Sequence, residues 1–402
     1  MSTIVLVNVS GPDRAGITRS VTEILGRYGV RVLDIGQAVI HNHLSLGLLI
    51  QIPPESESAP VLKDLLFRTH EMGLQLKFTP ISEDDYELWV NAQGKERYII
   101  TALSRSITAE QIHQLTTIIS DNGLNIQGIT RLSGRFSLRH PPERPRAGVE
   151  FQVRGEPADA AAMRLAFLAL AQDLGMDVSF QKDDRYRCNR RLVCFDMDST
   201  LIQAEVIDEL AREAGVGEQV VAITESAMRG EIDFNESFRR RVALLKGLSE
   251  SRLDSIVERI SLTEGAEELI RALKGMGLKT AILSGGFTFF GRRLQQRLGI
   301  DYLHANELVT ENGVVTGEVR EPIVNGQRKA DLLKQIAEQE GIRLEQVIAV
   351  GDGANDLPMI GLAGLGIAFQ AKPLVRKSAS HAISNLGLDG ILYLLGVRDR
   401  DV

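Results

Sequence analysis

The chain has 402 residues, of which 44% are hydrophobic and 25% charged, with a formal net charge of -7. That length exceeds what one ordinary core fills, so two or three domains are expected. Acidic and basic residues are mixed without long runs, which argues against nucleic acid or an anionic membrane surface as partner and leaves a small ligand as the default.

Only two cysteines occur, Cys188 and Cys194, and the seven histidines form no spaced pair such as HExxH, so neither a disulfide framework nor a zinc site is expected. The opening stretch TIVLVNVS follows no basic leader and is too short to span a bilayer. A cytoplasmic protein is the expectation.

In chain order, a strand over TIVLVNVS leads into a helix from Arg14 to Tyr28. The strands VRVLDIGQAVI and LSLGLLIQI, a helix from Pro60 to Met72 and the strand LQLKF follow. This is a βαββαβ order, the ferredoxin-like unit, over residues 1–82. The same order recurs over 96–182, through RYIITALS, a helix from Ala109 to Asp121, LNIQGITRLSG, VEFQVRG, a helix from Asp159 to Leu174 and MDVSFQK. An internal duplication is the simplest account. LRHPPERPRAG reads as a hairpin loop inside the second copy, and SEDDYELWVNAQGKE as a polar segment between the copies.

From residue 191 to the end the grammar changes. Continuous apolar runs (RLVCFDMD, KTAILSGG, QVIAVGDG) alternate with helical stretches, the pattern of parallel strands buried on both faces in a doubly wound α/β sheet. The segment 204–273 between the first two runs is helical throughout and too long for a single crossover. Part of it is expected to form a helical cap over the strand ends.

Three of these strands end in chemistry. After the first, Asp196 and Asp198 lie two residues apart and share a face. After the second, Ser284, Gly285 and Gly286 offer a hydroxyl and exposed amides for a phosphoryl oxygen. After the third come Asp352, Asn355 and Asp356. Carboxylates gathered on one rim repel unless a cation lies between them, and an all-oxygen set suits a hard ion such as Mg2+. Lys329 lies near the start of the helix before the third strand.

In this order DMDST, LSGG, the lysine and GDGAND resemble the motif set of the haloacid dehalogenase superfamily. Within it, FDMDSTLIQAEVIDELAREAGV, FNESFRRRVALLKGL, TEGAEELI and GDGANDLPMI are similar to the phosphoserine phosphatase family. The resemblance implies that Asp196 is a nucleophile forming an aspartyl-phosphate and Asp198 a general acid and base. It implies Mg2+ held by the carboxylates of Asp196 and Asp352 and the backbone carbonyl of Asp198.

It further implies that Ser284, Gly285, Lys329 and Asn355 contact the phosphate or substrate, with Asp356 orienting the lysine. Glu205 and Arg241 would take the ammonium and carboxylate of phosphoserine, the hydrolysis yielding serine, and Met228 and Phe234 would close over it. A phosphotransferase acting on sugar phosphates, and an amino-acid sensor with an inactive phosphatase half, are the competing readings.

The turn from Val9 to Ile17 resembles that of ACT domains, so the two repeats are expected to be ACT-like. Either they bind an amino-acid effector around Gly11 and Asp13, or they only assemble an oligomer, a homodimer being expected.

Overall fold

A computed structural model of the chain describes residues 3–94 and 96–401. Its contacts divide the chain into two compact units, Met1–Lys95 and Glu96–Val402. The first unit carries β1 (Thr3–Pro12), β2 (Arg31–Ile40), β3 (His43–Ile52) and β4 (Gln75–Ile81), in the antiparallel order β2-β3-β1-β4. Alternate residues Val5, Val7 and Val9 of β1 meet Leu44, Leu46, Leu48 and Ile50 of β3 and the inner faces of two helices, Ile17–Arg27 and Ser58–Glu71. The first helix starts at Ile17, three residues later than the sequence suggests, because Gly16 adopts φ 93 and breaks the chain direction there. The segment read as a polar spacer instead forms a helix, Glu83–Asn91, whose N-cap Ser82 accepts from Asp85 N at 3.0 Å.

In the second unit, β5 (Arg97–Ser104), β6 (Asn125–Arg131), β7 (Ala147–Arg154) and β8 (Asp177–Lys182) repeat the same order, β6-β7-β5-β8. The Pro- and Arg-rich stretch is indeed the loop between the antiparallel neighbours β6 and β7. The larger sheet takes β9 (Leu192–Phe195), β10 (Lys279–Phe287), β11 (Tyr302–Glu311) and β12 (Val314–Arg320), then β13 (Val347–Gly351), β14 (Leu365–Phe369) and β15 (His381–Ile383). Its order is β12-β11-β10-β9-β13-β14-β15, parallel except for the β11–β12 hairpin.

Both faces of this sheet are covered. Val193 and Phe195 of β9 join one core, with Ile282, Ile348 and Val350, while Leu192 and Cys194 join the other, with Ala281, Leu283 and Ala349. Residues of the second repeat, Leu103 and Leu132, belong to the first of these cores.

Four helices, Val206–Glu213, Gly217–Met228, Phe234–Ala243 and Glu250–Arg259, fill the excursion after β9. The chain returns through Leu262, which bridges Ile202 on the way out. The next helix, Ala266–Gly275, packs on β10, so the tail of the 204–273 segment serves the sheet, not the cap. Among the described residues no helix is long and apolar enough to cross a membrane.

Candidate active site

The site forms at the carboxyl ends of β9, β10 and β13, where β9 pairs in parallel with both neighbours. Open α/β sheets bind ligands in this crevice. Asp196 leaves β9 with its amide still tied to Val350 O at 2.9 Å. The chain then makes one π-turn, Met197–Leu201, closed by Ile202 N donating to Met197 O at 3.1 Å. Inside it Ser199 is held at φ 54, a conformation uncommon for a serine. Two bonds hold it there: Ser199 N donates to Ala204 O at 3.1 Å and Ser199 Oγ donates to Glu205 Oε1 at 2.7 Å.

At the end of β10, Ser284 is fully buried and its Oγ accepts from Gly286 N at 2.9 Å, which leaves the hydroxyl proton free to donate elsewhere. A Cβ at Gly286 would lie 2.6 Å from Met197 Cε and 3.0 Å from Asp198 Oδ2, so the two loops approach only because this residue is glycine. The turn is pinned from behind by Asn306 of β11, which donates to Gly285 O at 2.8 Å and accepts from Val324 N at 2.8 Å.

After β13, Asp356 Oδ2 accepts from the amides of Asp352 at 3.1 Å and Gly353 at 3.0 Å. Its Oδ1 accepts from Lys329 Nζ at 2.7 Å. Lys329 sits in the first turn of the helix Gly326–Gln339, capped by Asn325, whose Oδ1 accepts from Arg328 N at 3.0 Å. The lysine is completely buried, and its second partner is Asp196 Oδ1 at 2.9 Å. That oxygen also accepts from Met197 N at 2.7 Å, so Oδ2 is the Asp196 oxygen left for chemistry.

Burial and the neighbouring Asp356 charge push Asp196 up to about 8, despite Lys329. Burial, then Asp356 and Glu205, push Asp352 up to about 7, with Thr200 Oγ1 donating to it at 3.3 Å. Asp198 stands well above the carboxylate range through burial and the charges of Glu205 and Asp196, and its Oδ1 is buried with no hydrogen-bond partner. For Lys329, burial pulls downward but the Asp196 and Asp356 carboxylates outweigh it and keep the ammonium charged.

Asp196, Asp352 and Asp356 can each place an oxygen within 4.8 Å of the others. Oxygen donors at this spacing, with Asp196 and Asp352 raised by burial and by the neighbouring carboxylates, fit a hard divalent cation. Asp356 is already committed on both oxygens, which leaves Asp196 and Asp352 as the better carboxylate ligands.

The remaining sequence candidates lie on the cap side. Glu205 is exposed and bonded to Ser199. Arg241 is half-buried over the Phe238 ring at 6.0 Å and lowered by that burial, with Glu205 and Asp208 facing it. No carboxylate among the described residues pairs with its guanidinium. Phe234 stacks on Phe238 at 6.1 Å, and its Cζ lies 3.5 Å from where a Gly285 Cβ would stand, so a cap side chain reaches the β10 turn. The side chain of Met228, the other closure candidate, lies outside the described residues. Asn355 is half-buried on the turn after Asp352, beside Gly326.

Sequence reading missed Thr200, Asn306 and Asn325. Thr200 was visible inside DMDST but has the composition of any turn. Asn306 had no signal, being one amide in a strand that also carries His304, Glu307, Thr310 and Glu311.

A parallel sheet with this acid-lysine-serine rim and a helical excursion after the first strand defines a hydrolase of the haloacid dehalogenase-like class, and the model for that family matches residues 193–361. ACT-domain models match residues 3–79 and 97–181. A phosphoserine phosphatase of Mycobacterium tuberculosis is 38% identical over 394 residues, covering 98% of this chain and 93% of that protein. The chain therefore belongs to the phosphoserine phosphatase family. Among solved structures, a hydrolase of the same superfamily from Salmonella enterica serovar Typhi superposes with TM-score 0.63 at 32% identity, over 74% of this chain and 98% of the other. A probable phosphoserine phosphatase from Vibrio cholerae does so with TM-score 0.60 at 32% identity, over 76% and 87%.

Proposed function

We propose that the chain hydrolyses O-phospho-L-serine to serine and phosphate through an aspartyl-phosphate on Asp196. The observation that carries this reading is the buried Lys329 ammonium between Asp196 and Asp356. This cationic corner with an oxygen nucleophile beside it is what a phosphoryl group requires.

Asp196 Oδ2 attacks phosphorus and the bond from phosphorus to the seryl oxygen breaks. Asp198, whose carboxyl burial pushes well above its ordinary value, gives its proton to that departing oxygen. In the second half Asp198 takes a proton from water, whose oxygen attacks phosphorus and releases Asp196. Throughout, the Ser284 hydroxyl, the Gly285 amide and Lys329 hold the equatorial oxygens, and Asn355 contacts the phosphate or substrate from the β13 side.

Mg2+ would be held by the Asp196 and Asp352 carboxylates with the Asp198 backbone carbonyl, supplying positive charge that keeps Asp196 ionised. Arg241 offers a guanidinium fork to the substrate carboxylate and Glu205 a carboxylate to its ammonium, which favours an amino-acid ester over a sugar phosphate. The free thiols Cys188 and Cys194 suit a reducing cytoplasm.

The ACT-like repeats add a proposed amino-acid effector site near Gly11, at φ 151 in β1, and the exposed Asp13 after it. A homodimer is part of the same reading, supported by the edge strand β2, which exposes Val32, Ile35, Val39 and Ile40.

The test is phosphate release from L-phosphoserine with and without Mg2+, beside a panel of sugar phosphates and Asp196→Asn. Metal-dependent release confined to phosphoserine and absent from the variant is expected. Preference for a sugar phosphate would overturn the assignment of Glu205 and Arg241.

A further inference from the structure

The second repeat is joined to the phosphatase sheet at many points, and one of them reaches the place where the cap meets the core. Two short strands carry the chain out to the cap and back. Ile202 bridges Leu262, Gln203 N donates to Ser261 O at 3.0 Å, and Thr263 N donates to Leu201 O at 3.0 Å. The outgoing strand continues the π-turn that carries Asp198, so the register of the returning strand bears directly on that turn.

The next residue, Glu264, is gripped from outside the phosphatase domain. Arg105, immediately after β5 of the second repeat, donates from Nη1 to Oε1 at 2.6 Å and from Nη2 to Oε2 at 2.8 Å. Arg144, in the loop before β7, approaches the same carboxylate at 3.5 Å. The carboxylate is lowered by Arg105 in consequence.

The backbone is fixed as well. Glu264 O accepts from Leu388 N at 2.8 Å, and a Cβ at the following Gly265, φ 77, would lie 2.6 Å from Asp389 Cγ. Asp389 in turn pairs with Arg146 of the second repeat.

We infer that Arg105 is a positioning residue: through its two-pronged bond to Glu264 the second repeat sets the cap hinge, and through the hinge the turn that carries Asp198. A planar guanidinium bonded to both oxygens of a carboxylate fixes orientation as well as distance, which a single-point contact would not. The pair spans sequence positions that share no element, so no local folding need explains it. This makes the second repeat a structural part of the catalytic unit, and any event that shifts β5 reaches the site by this route. The inference rests on the proposed phosphoserine reaction for its kinetic consequence, but not for its structural one.

The test compares wild type, Arg105→Met, Glu264→Gln and the exchanged pair Arg105→Glu with Glu264→Arg, with Arg27→Met as control. Arg27 pairs with Glu23 on an exposed helix face of the first repeat at 2.7 Å. Two readouts are taken: kcat and KM for phosphoserine, and amide hydrogen exchange of peptides spanning 199–206 and 258–266. Each single change should lower kcat roughly three- to tenfold with KM moving less than about twofold. Exchange should rise in the two hinge peptides before it rises elsewhere, the exchanged pair should recover at least about half of the lost kcat, and the control should be silent.

Unchanged kcat and unchanged hinge exchange in both single variants would overturn the inference. So would exchange rising uniformly through the second repeat and the sheet, which would make the pair an ordinary structural tie. A protein inert towards phosphoserine that still shows the hinge-confined exchange would sink the proposed activity and leave the clamp standing.

Discussion

Replacing Lys329 by methionine tests the core of the site most directly. The ammonium lies 2.9 Å from Asp196 and 2.7 Å from Asp356 with no exposed surface on the lysine. At an effective dielectric of about 20 each attraction is worth roughly 6 kcal/mol, offset by several kcal/mol for burying each ion. The net for removing one partner of such a cluster is about 3–5 kcal/mol. Part of that is recovered because Asp196, already near neutrality, can take up a proton. A fall in the melting temperature of the second unit of roughly 3–8 °C at pH 7.5 follows. Loss of a preorganised cation facing the phosphoryl oxygens should lower kcat by about a hundred- to a thousandfold. Calorimetry and phosphate release measure the two quantities. A variant that melts within about 2 °C of wild type and keeps more than about a tenth of its kcat would show that the ammonium is neither the counter-charge nor the phosphate donor.

Gly286→Ala should cut kcat by about tenfold or more with little change in stability, because its methyl meets Asp198 Oδ2 and Met197 Cε where the two loops touch; full activity by steady-state assay would refute that close approach. Arg241→Lys should raise KM for phosphoserine by about tenfold while sparing a phosphomonoester that lacks an amino-acid carboxylate, and an equal loss on both would count against substrate contact. His381 of β15, bonded through Nδ1 to Ser179 Oγ at 2.9 Å, is held neutral by burial, with Arg164 and Arg190 adding to it, and falls from 6.5 to about 3. The fold therefore prefers the neutral ring, so the stability it contributes is complete above pH 6.5 and lost as pH falls below it, about 2 kcal/mol by pH 5. In urea titrations at pH 7 and pH 5, His381→Gln should lose less stability on acidification than wild type by that amount; parallel losses would place the acid sensitivity elsewhere.

How much of this was legible in the sequence follows the reach of each interaction. The strand ends that carry Asp196, Ser284 and Asp352 were readable because a parallel sheet demands continuous apolar runs, and the residue after each run must lie on one rim. The helix Glu83–Asn91 was not, since none of its residues is buried and its apolar Leu88, Trp89 and Val90 are consecutive and exposed, giving no core-facing stripe; only Ser82 and the three acids after it marked a helix start. The grip of Arg105 on Glu264 was also invisible, because it joins residues 159 apart that carry no motif, and exposed arginines and glutamates are the commonest surface composition. Asn306 shows the same limit, as one buried amide serving a turn 21 residues away.

The charges of the rim explain why burial alone cannot assign the two aspartates their proposed parts. Asp196, Asp198, Asp352, Asp356 and Glu205 give five negative charges, against two positive from Lys329 and Arg241, a balance of minus three before a phosphomonoester brings up to two more. Such a site can be relieved by protons or by a divalent cation, and the reaction discriminates between them. Asp198 must hold a proton in order to donate one, and its burial with Oδ1 unbonded supports that state. Asp196 must be ionised to attack, yet burial and Asp356 raise it to about 8 in the protein alone. The two requirements are met together only if positive charge is added on the side of Asp196 and Asp352 and not at the Asp198 carboxyl. The structure has that asymmetry, with Asp352 half-exposed beside Asp196 and Asp198 Oδ2 set against Gly286, outside the three-carboxylate group.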